Sequence, residues 1–446
     1  TFFRLGARVA NLLMYFLNSG HHLITQSNKS LINQSSISEM LPTYQLNDGN
    51  KQALFSASDC FISGYDQSSQ LQSSVISLLA IDLDTATPTP RGHCYVGDAE
   101  TVYASSEALY LATTRYSYTN ENGVAIYNGQ PSTEIHKFSL DSNIPEYRGT
   151  GSVEGHLGWQ QDLKPFRMSE HDDVLRVITY TGSRADSDSS PAHLYTLQEN
   201  SENATLDILG TLPNDARPAP LGKPGEQVYA TRFIGERAYL VTFRMTDPLY
   251  IVDLSDPADP FIASELEING YSDYLHPVGE NYLLGIGKDA IASTEAGDGR
   301  GAWYQGVKLS LIDISDATAP FEKQQIILGK RGSETAVSHT HHALTSLLKG
   351  DSMELAIPVS IHETLYNGPS ANTSEDPSYY YNWTRDELYR LSINTVTGAI
   401  EVLPAIESER QPVDGEYYYS WEWPHDRSAI IDDTVYYLQN DNVLTN

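Results

Sequence analysis

The chain has 446 residues, with 58 acidic side chains against 28 basic ones and a formal charge of −30. That balance repels nucleic acid and anionic membrane surfaces, so neither is an expected partner. No run of roughly 18 apolar residues exists to span a membrane, and the length exceeds what one ordinary hydrophobic core serves.

In chain order, residues 1–39 carry the least pattern. Val9–Leu17 is apolar but short, and it sits beside Arg4 and Arg8. From Gly20 onward a turn followed by alternating apolar residues recurs. It appears at Gly20–Thr25, Glu107–Thr113, Asp173–Thr179 and Glu236–Thr242. Looser copies lie at Glu280–Ile286, Met353–Val359 and Asp433–Leu438. A turn with strict alternation signals a strand.

A second phrase is interleaved with the first. Ile251-Val-Asp-Leu-Ser-Asp-Pro-Ala-Asp-Pro260 returns as Leu311-Ile-Asp-Ile-Ser-Asp-Ala-Thr-Ala-Pro320, with echoes at Ala80–Pro88, Lys137–Pro145 and Arg390–Gly398. Successive copies stand about 60 residues apart, and a fixed period of short strands without helical pattern means a radial β-repeat. The expected fold is therefore all-β: one β-propeller domain over residues 1–446, with about seven four-stranded antiparallel blades and an eighth possible. The chain opens on Thr1 and closes just after a strand, so both ends read as cut from a longer protein.

Cys60 and Cys94 are the two cysteines, each in a stretch that reads as loop, and they flank an expected strand at Val75–Leu83. One disulfide closing that segment is the favoured reading, and two unrelated buried thiols the alternative. A disulfide implies an oxidising compartment.

Several phrases in the middle of the chain resemble a known family. They include Val228-Tyr-Ala-Thr-Arg-Phe-Ile-Gly-Glu-Arg-Ala-Tyr-Leu-Val-Thr-Phe-Arg244, Asp247–Pro257, Gly270-Tyr-Ser-Asp-Tyr-Leu-His-Pro277, Leu283–Lys288 and Trp423-Pro-His-Asp-Arg-Ser428. Together they resemble the secreted prokaryotic proteins that carry a C-terminal β-propeller domain. The likeness runs from about Met40 to the end and is strongest over 226–320. It implies a secreted, periplasmic or cell-surface propeller and no particular reaction.

Four constellations could carry chemistry. His171, His276, His341, His342 and His425 fall in different repeats, and equivalent positions on successive blades converge toward one axis. Imidazoles gathered there would suit copper or zinc; otherwise they cap loops. Asp253, Asp256, Asp259, Asp313, Asp316 and the cluster Asp426, Asp432 and Asp433 could offer Ca²⁺ oxygen ligands, or serve their own turns. Arg232, Arg244, Asp247, Asp273, Lys288 and Asp289 would form a paired charge network lining the channel, or hold a small anion. The aromatic runs Tyr379–Trp383 and Tyr417–Trp423 would pack between sheets or present a platform to sugar or protein.

No P-loop, nucleophile elbow or dinucleotide fingerprint is present. The expected function is a secreted binding or scaffold module without catalysis, for an extracellular protein or polysaccharide. Two rivals stand beside it: a copper-type oxidoreductase using the histidines, and a polysaccharide hydrolase or lyase using paired carboxylates.

Overall fold

The structure is a computed structural model. It describes residues 30–31, 33–36, 39, 41–62, 74–85, 89–116, 118–121, 124–127, 131–141, 144–181, 192–223, 226–243, 247–293, 302–365, 376–408, 426–439 and 442–445. The chain forms two compact units. One comprises Thr1–Thr113, Ile135–Thr150 and Ser201–Thr205; the other comprises Thr114–Glu134, Gly151–Asn200 and Leu206–Asn446.

In the first unit Arg91–Val96 is the middle strand of three. It pairs antiparallel with Val75–Ala80 and parallel with Cys60–Ile62. The parallel register sets Cys60 opposite Cys94, with Cα atoms 4.3 Å apart, and the two are joined as a disulfide. Both cysteines thus lie in paired strands rather than in loops. The three-residue strand that carries Cys60 follows a tight Ser56–Asp59 turn, and so short a run leaves no alternation to read. Leu78, Tyr95, Leu111 and Phe138 form the core here, and the buried Tyr95 hydroxyl lies 2.7 Å from His136 Nε2.

The second unit is a succession of antiparallel sheets. Met168–His171, Val174–Tyr180, Ala192–Asn200 and Thr205–Leu212 pair in that order as four strands of a longer ladder, and are called sheet I. Sheet II joins Gln227–Ile234, Arg237–Phe243, Asp247–Asp253 and Phe261–Ile268. Sheet III joins Tyr271–Val278, Tyr282–Ala292, Ala302–Asp313 and Phe321–Leu328. In sheet IV, Glu334–Thr335 and Thr345–Lys349 both pair with Ser352–Thr364, followed by Asn382–Asn394 and Ile400–Glu407. Sheet V joins Arg427–Ile431, Thr434–Gln439 and Asn442–Thr445.

The two repeated phrases occupy fixed places in these sheets. In sheets I to V the turn-plus-alternation phrase is the second strand, and in sheets II, III and IV the Asp/Ser phrase is the third strand with the turn that leaves it; the copy at Gly20–Thr25 lies outside the described residues. Asp253 and Asp313 accept backbone N–H bonds from Ser255 and Ser315 at 2.9 and 3.1 Å, and Asp256 and Asp316 repeat the device one step on. One backbone bond recurs across the chain: Leu140 N–H to Glu107, Leu254 to Glu236, Ile314 to Asn281 and Thr395 to Asp351. At these four places it ties the end of one strand to the start of the strand it pairs with.

Alternation fills both faces of each sheet. Ala238 and Leu240 face sheet I while Tyr239 and Val241 face sheet III. Leu355, Ile357 and Val359 face sheet III while Ala356 faces sheet V. Each fully buried Leu, Ile or Val of this kind stabilises by about 1.5–3 kcal/mol, so sheet stacking is the main cohesive force of the unit.

The first strands of sheets II and III each carry an extra residue. Val228 pairs with Thr242 and Ala230 with Val241, which makes Tyr229 the inserted residue of the register. Ser272 pairs with Gly287 and Tyr274 with Ile286, which makes Asp273 the inserted residue in the same way. Such bulges re-aim a side chain out of the sheet's alternation.

Candidate functional site

Both bulged residues, Tyr229 and Asp273, line a cavity of about 650 Å³ in the second unit. Its wall is built from the first strands of sheets II and III, the end of the Tyr282–Ala292 strand, the turn before sheet IV and the residues around the 3-10 turn Gln161–Arg167. The volume lies within the range of small-molecule sites.

Three tyrosines form the aromatic side. Tyr271 packs against Tyr229 at 5.1 Å and edge-on against Tyr304 at 5.2 Å. Burial holds the Tyr271 hydroxyl well above its ordinary titration range, and Asp273 adds to the shift. That phenol stays neutral. Trp159 and Tyr380 also line the cavity and are 61% and 50% exposed, which places them at its mouth.

Three cations share the lining, and they differ in how they are matched. Lys288 Nζ donates to the Ser333 carbonyl and meets Glu334 Oε1 at 2.8 Å, so its charge is countered. Arg331 lies between the rings of Trp303 and Tyr380, at 4.8 and 4.1 Å, and Nη1 donates to the Tyr304 carbonyl at 3.0 Å. Arg167 Nη2 donates to the Val228 carbonyl at 2.8 Å. Arg331 Nε, Arg167 Nη1 and Ser338 Oγ are buried and have no hydrogen-bond partner. Neither arginine meets a carboxylate among the described residues. Burial therefore pulls Arg167 down to about 10 from an ordinary 12.5, with only a small opposing push from Tyr180.

Two glycines keep the wall open. Gly158 has φ +94°, and a Cβ there would lie 3.0 Å from Arg167 Nη2. Gly332 has φ +113°, and its Cβ would meet His362 Nδ1 at 2.9 Å. His339, also on the wall, is held below its ordinary range by burial, with Glu334 opposing and Lys288 assisting.

Of the expected channel network, Asp273 and Lys288 reach this cavity. Arg232 stacks over Phe166 at 5.1 Å instead, and Asp289 is raised by burial near Lys308. Arg244 and the side chain of Asp247 lie outside the described residues.

The expected histidine set is divided. His276 and His341 both pack against Tyr274, at 6.1 and 6.3 Å, and His342 stacks on His341 at 3.9 Å. Burial, assisted by Arg232, pushes His276 down to about 4, so it is neutral. The Tyr274 hydroxyl lies 3.4 Å from His276 Nδ1, and His341 Nδ1 is buried without a partner. His171 ends its strand elsewhere and lies 3.7 Å from Asp172. His425 lies outside the described residues. Among the described residues no group of three or more His, Cys, Asp or Glu side chains is placed to hold a metal ion.

The acidic turn residues serve their turns or pair with cations. Asp259 takes both sides of the Arg217 guanidinium, and Asp433 meets Lys349 at 3.1 Å. Asp426 is buried, accepts from the Tyr437 hydroxyl at 2.5 Å, and is raised by burial. Within the first aromatic run Tyr380 joins the cavity mouth, whereas Trp383 Nε1 donates to Asp386 at 2.8 Å. The run Tyr417–Trp423 lies outside the described residues.

A family model for the beta propeller domain matches residues 4–446. The chain belongs to that family. Two curated relatives are uncharacterised proteins of Methanocaldococcus jannaschii and Archaeoglobus fulgidus. The first is 38% identical over 190 residues, 43% of this chain and 25% of its own length. The second is 39% identical over 211 residues, 47% of this chain and 27% of its own length. The chain thus spans about a quarter of the relatives it matches. Among solved structures, a putative 6-phosphogluconolactonase of Bacteroides uniformis aligns at 12% identity and TM-score 0.33, covering 75% of this chain and 97% of that one. A Synechocystis apocarotenoid oxygenase mutant aligns at 10% identity and TM-score 0.32, covering 89% and 85%. At those scores neither likeness bears on activity. Arg167 and Arg331 carry no local motif that reading the sequence would single out, and Tyr229 lies in the Val228–Arg244 phrase without marking a site there.

Proposed function

We propose that this protein is a secreted, non-catalytic binding module, a propeller of about seven blades whose cavity at Tyr229, Asp273 and Arg331 takes a small polar ligand. One observation carries the reading. Three buried polar atoms of the lining, on Arg167, Arg331 and Ser338, lack hydrogen-bond partners. Each such atom costs about 1–3 kcal/mol when left unmatched, and a bound ligand restores that cost as affinity.

The state of the titratable groups favours binding over acid–base work. Tyr271 and His339 are both shifted toward their neutral forms, and Lys288 is engaged by Glu334. The Cys60–Cys94 disulfide supports an oxidising location outside the cytoplasm. The relatives' full-length activities do not enter.

Thermal-shift screening of the full chain against a panel of mono- and disaccharides and small organic acids tests the proposal. A stabilising ligand is expected whose effect disappears in Tyr380→Ala and Arg331→Gln. A ligand that stabilises both variants as well as the parent would place binding elsewhere.

A further inference from the structure

The unmatched groups of the cavity say what kind of ligand fits. Arg167 and Arg331 are 6% and 8% exposed, so both guanidinium groups are buried. Each spends one N–H on a main-chain carbonyl, at Val228 and Tyr304, and each keeps another buried donor nitrogen unpartnered. Lys288 and Glu334 cancel. Among the described lining residues Asp273 is then the one carboxylate set against two arginines, which leaves them with one uncompensated positive charge.

A buried charge without a counter-ion is disfavoured, and a ligand of the opposite sign relieves it. A neutral ligand leaves that charge in place, and a cation worsens it. The aromatic faces do not redirect the site toward cations, because Arg331 already occupies the space between Trp303 and Tyr380. A monoanion balances the wall, whereas a phosphate dianion overshoots by one charge. Guanidinium N–H groups form charge-assisted hydrogen bonds with carboxylate, and each of the two arginines has one buried donor nitrogen left for such a bond.

The remainder of the lining is suited to a ring with hydroxyls. Trp159 and Tyr380 are exposed at the mouth, while Ser338 Oγ offers an unmatched hydroxyl within. The volume accommodates one or two sugar rings.

We infer that the cavity recognises an acidic sugar, its ring carboxylate paired with Arg167 and Arg331 and its ring set against Trp159 and Tyr380. This rests on the reading of the cavity as a binding site and adds the chemical class of its ligand.

The test is isothermal titration of the full chain with glucuronate, galacturonate, glucose, galactose and inorganic phosphate. A uronate is expected to bind at least about ten-fold more tightly than its neutral counterpart, as charge-assisted pairing requires. Arg331→Gln is expected to lose about ten-fold for the uronate and less than that for the neutral sugar; Arg167→Gln gives a second reading should that variant fold poorly. Equal binding of uronate and neutral sugar, lost in Tyr380→Ala, overturns the charge inference and keeps the binding reading. Phosphate binding ahead of every uronate overturns the choice of a carboxylate. No heat with any of the five, from a chain with native circular dichroism, overturns the inference and the cavity's role as a sugar or anion site together.

Discussion

Replacing Arg167 with methionine should leave the ligand-free protein as stable as the parent or more so. A fall from 12.5 to about 10 means that the buried charge costs about 3 kcal/mol at neutral pH. Methionine has a similar length and no charge, so it removes that cost. It also removes the bond to the Val228 carbonyl, and an unsatisfied buried acceptor costs about 1–3 kcal/mol. The balance is a gain of roughly 0–2 kcal/mol from these two figures. Urea unfolding of parent and variant at pH 7, followed by tryptophan fluorescence, measures it. The sign reverses the usual effect of altering a buried residue, where losses dominate. A loss of more than about 2 kcal/mol would refute the view that Arg167 lacks a counter-ion, since breaking a buried ion pair has that signature.

Three further outcomes follow from other parts of the molecule. His276 is neutral when folded, with a value near 4 against 6.5 when unfolded, so its contribution is complete above pH 6.5 and is lost as pH falls toward 4. His276→Gln should flatten the acid limb of a stability–pH curve by up to about 3 kcal/mol, and an unchanged limb would mean that the imidazole is solvated. Gly158→Ala forces a side chain onto a positive φ and against Arg167, and should lower the melting temperature through a cost of about 1–3 kcal/mol. Cys60→Ser with Cys94→Ser frees a loop of 34 residues and should destabilise the first unit by about 2–4 kcal/mol, read as an earlier urea transition; no change on adding reductant to the parent would contradict this.

The repeat structure was legible because it rests on local patterns. Second strands such as Arg237–Phe243 alternate strictly, and Asp253 and Asp313 mark the turns that follow third strands. The pairing of Cys60 with Cys94 was legible from their number, while the strands that hold them were too short to show. The site was legible only in part. Asp273 and Lys288 stood out as charges among apolar residues, and the notion of a small-anion site follows from them. Arg167 did not stand out, since it reaches the cavity from a 3-10 turn some 61 residues before its carbonyl partner Val228. Tyr229 was hidden for a different reason. Val228-Tyr-Ala230 reads as ordinary strand, and only the cross-strand register reveals the inserted residue.

That insertion leaves the cores untouched. Val228 belongs to the cluster shared with sheet I, and Ala230 to the cluster shared with sheet III. Two positions apart, they would share a face in a regular strand; the bulge makes them behave as direct neighbours. Excising Tyr229 would therefore join Val228 to Ala230 with every inward residue still on its own side, and excising Asp273 would do the same for Ser272 and Tyr274. The bulge positions act as sockets in a frame that does not depend on what fills them. A lineage can swap or discard the contents by changing one codon in each of two strands, and so acquire or shed a specificity while the surrounding architecture is inherited intact.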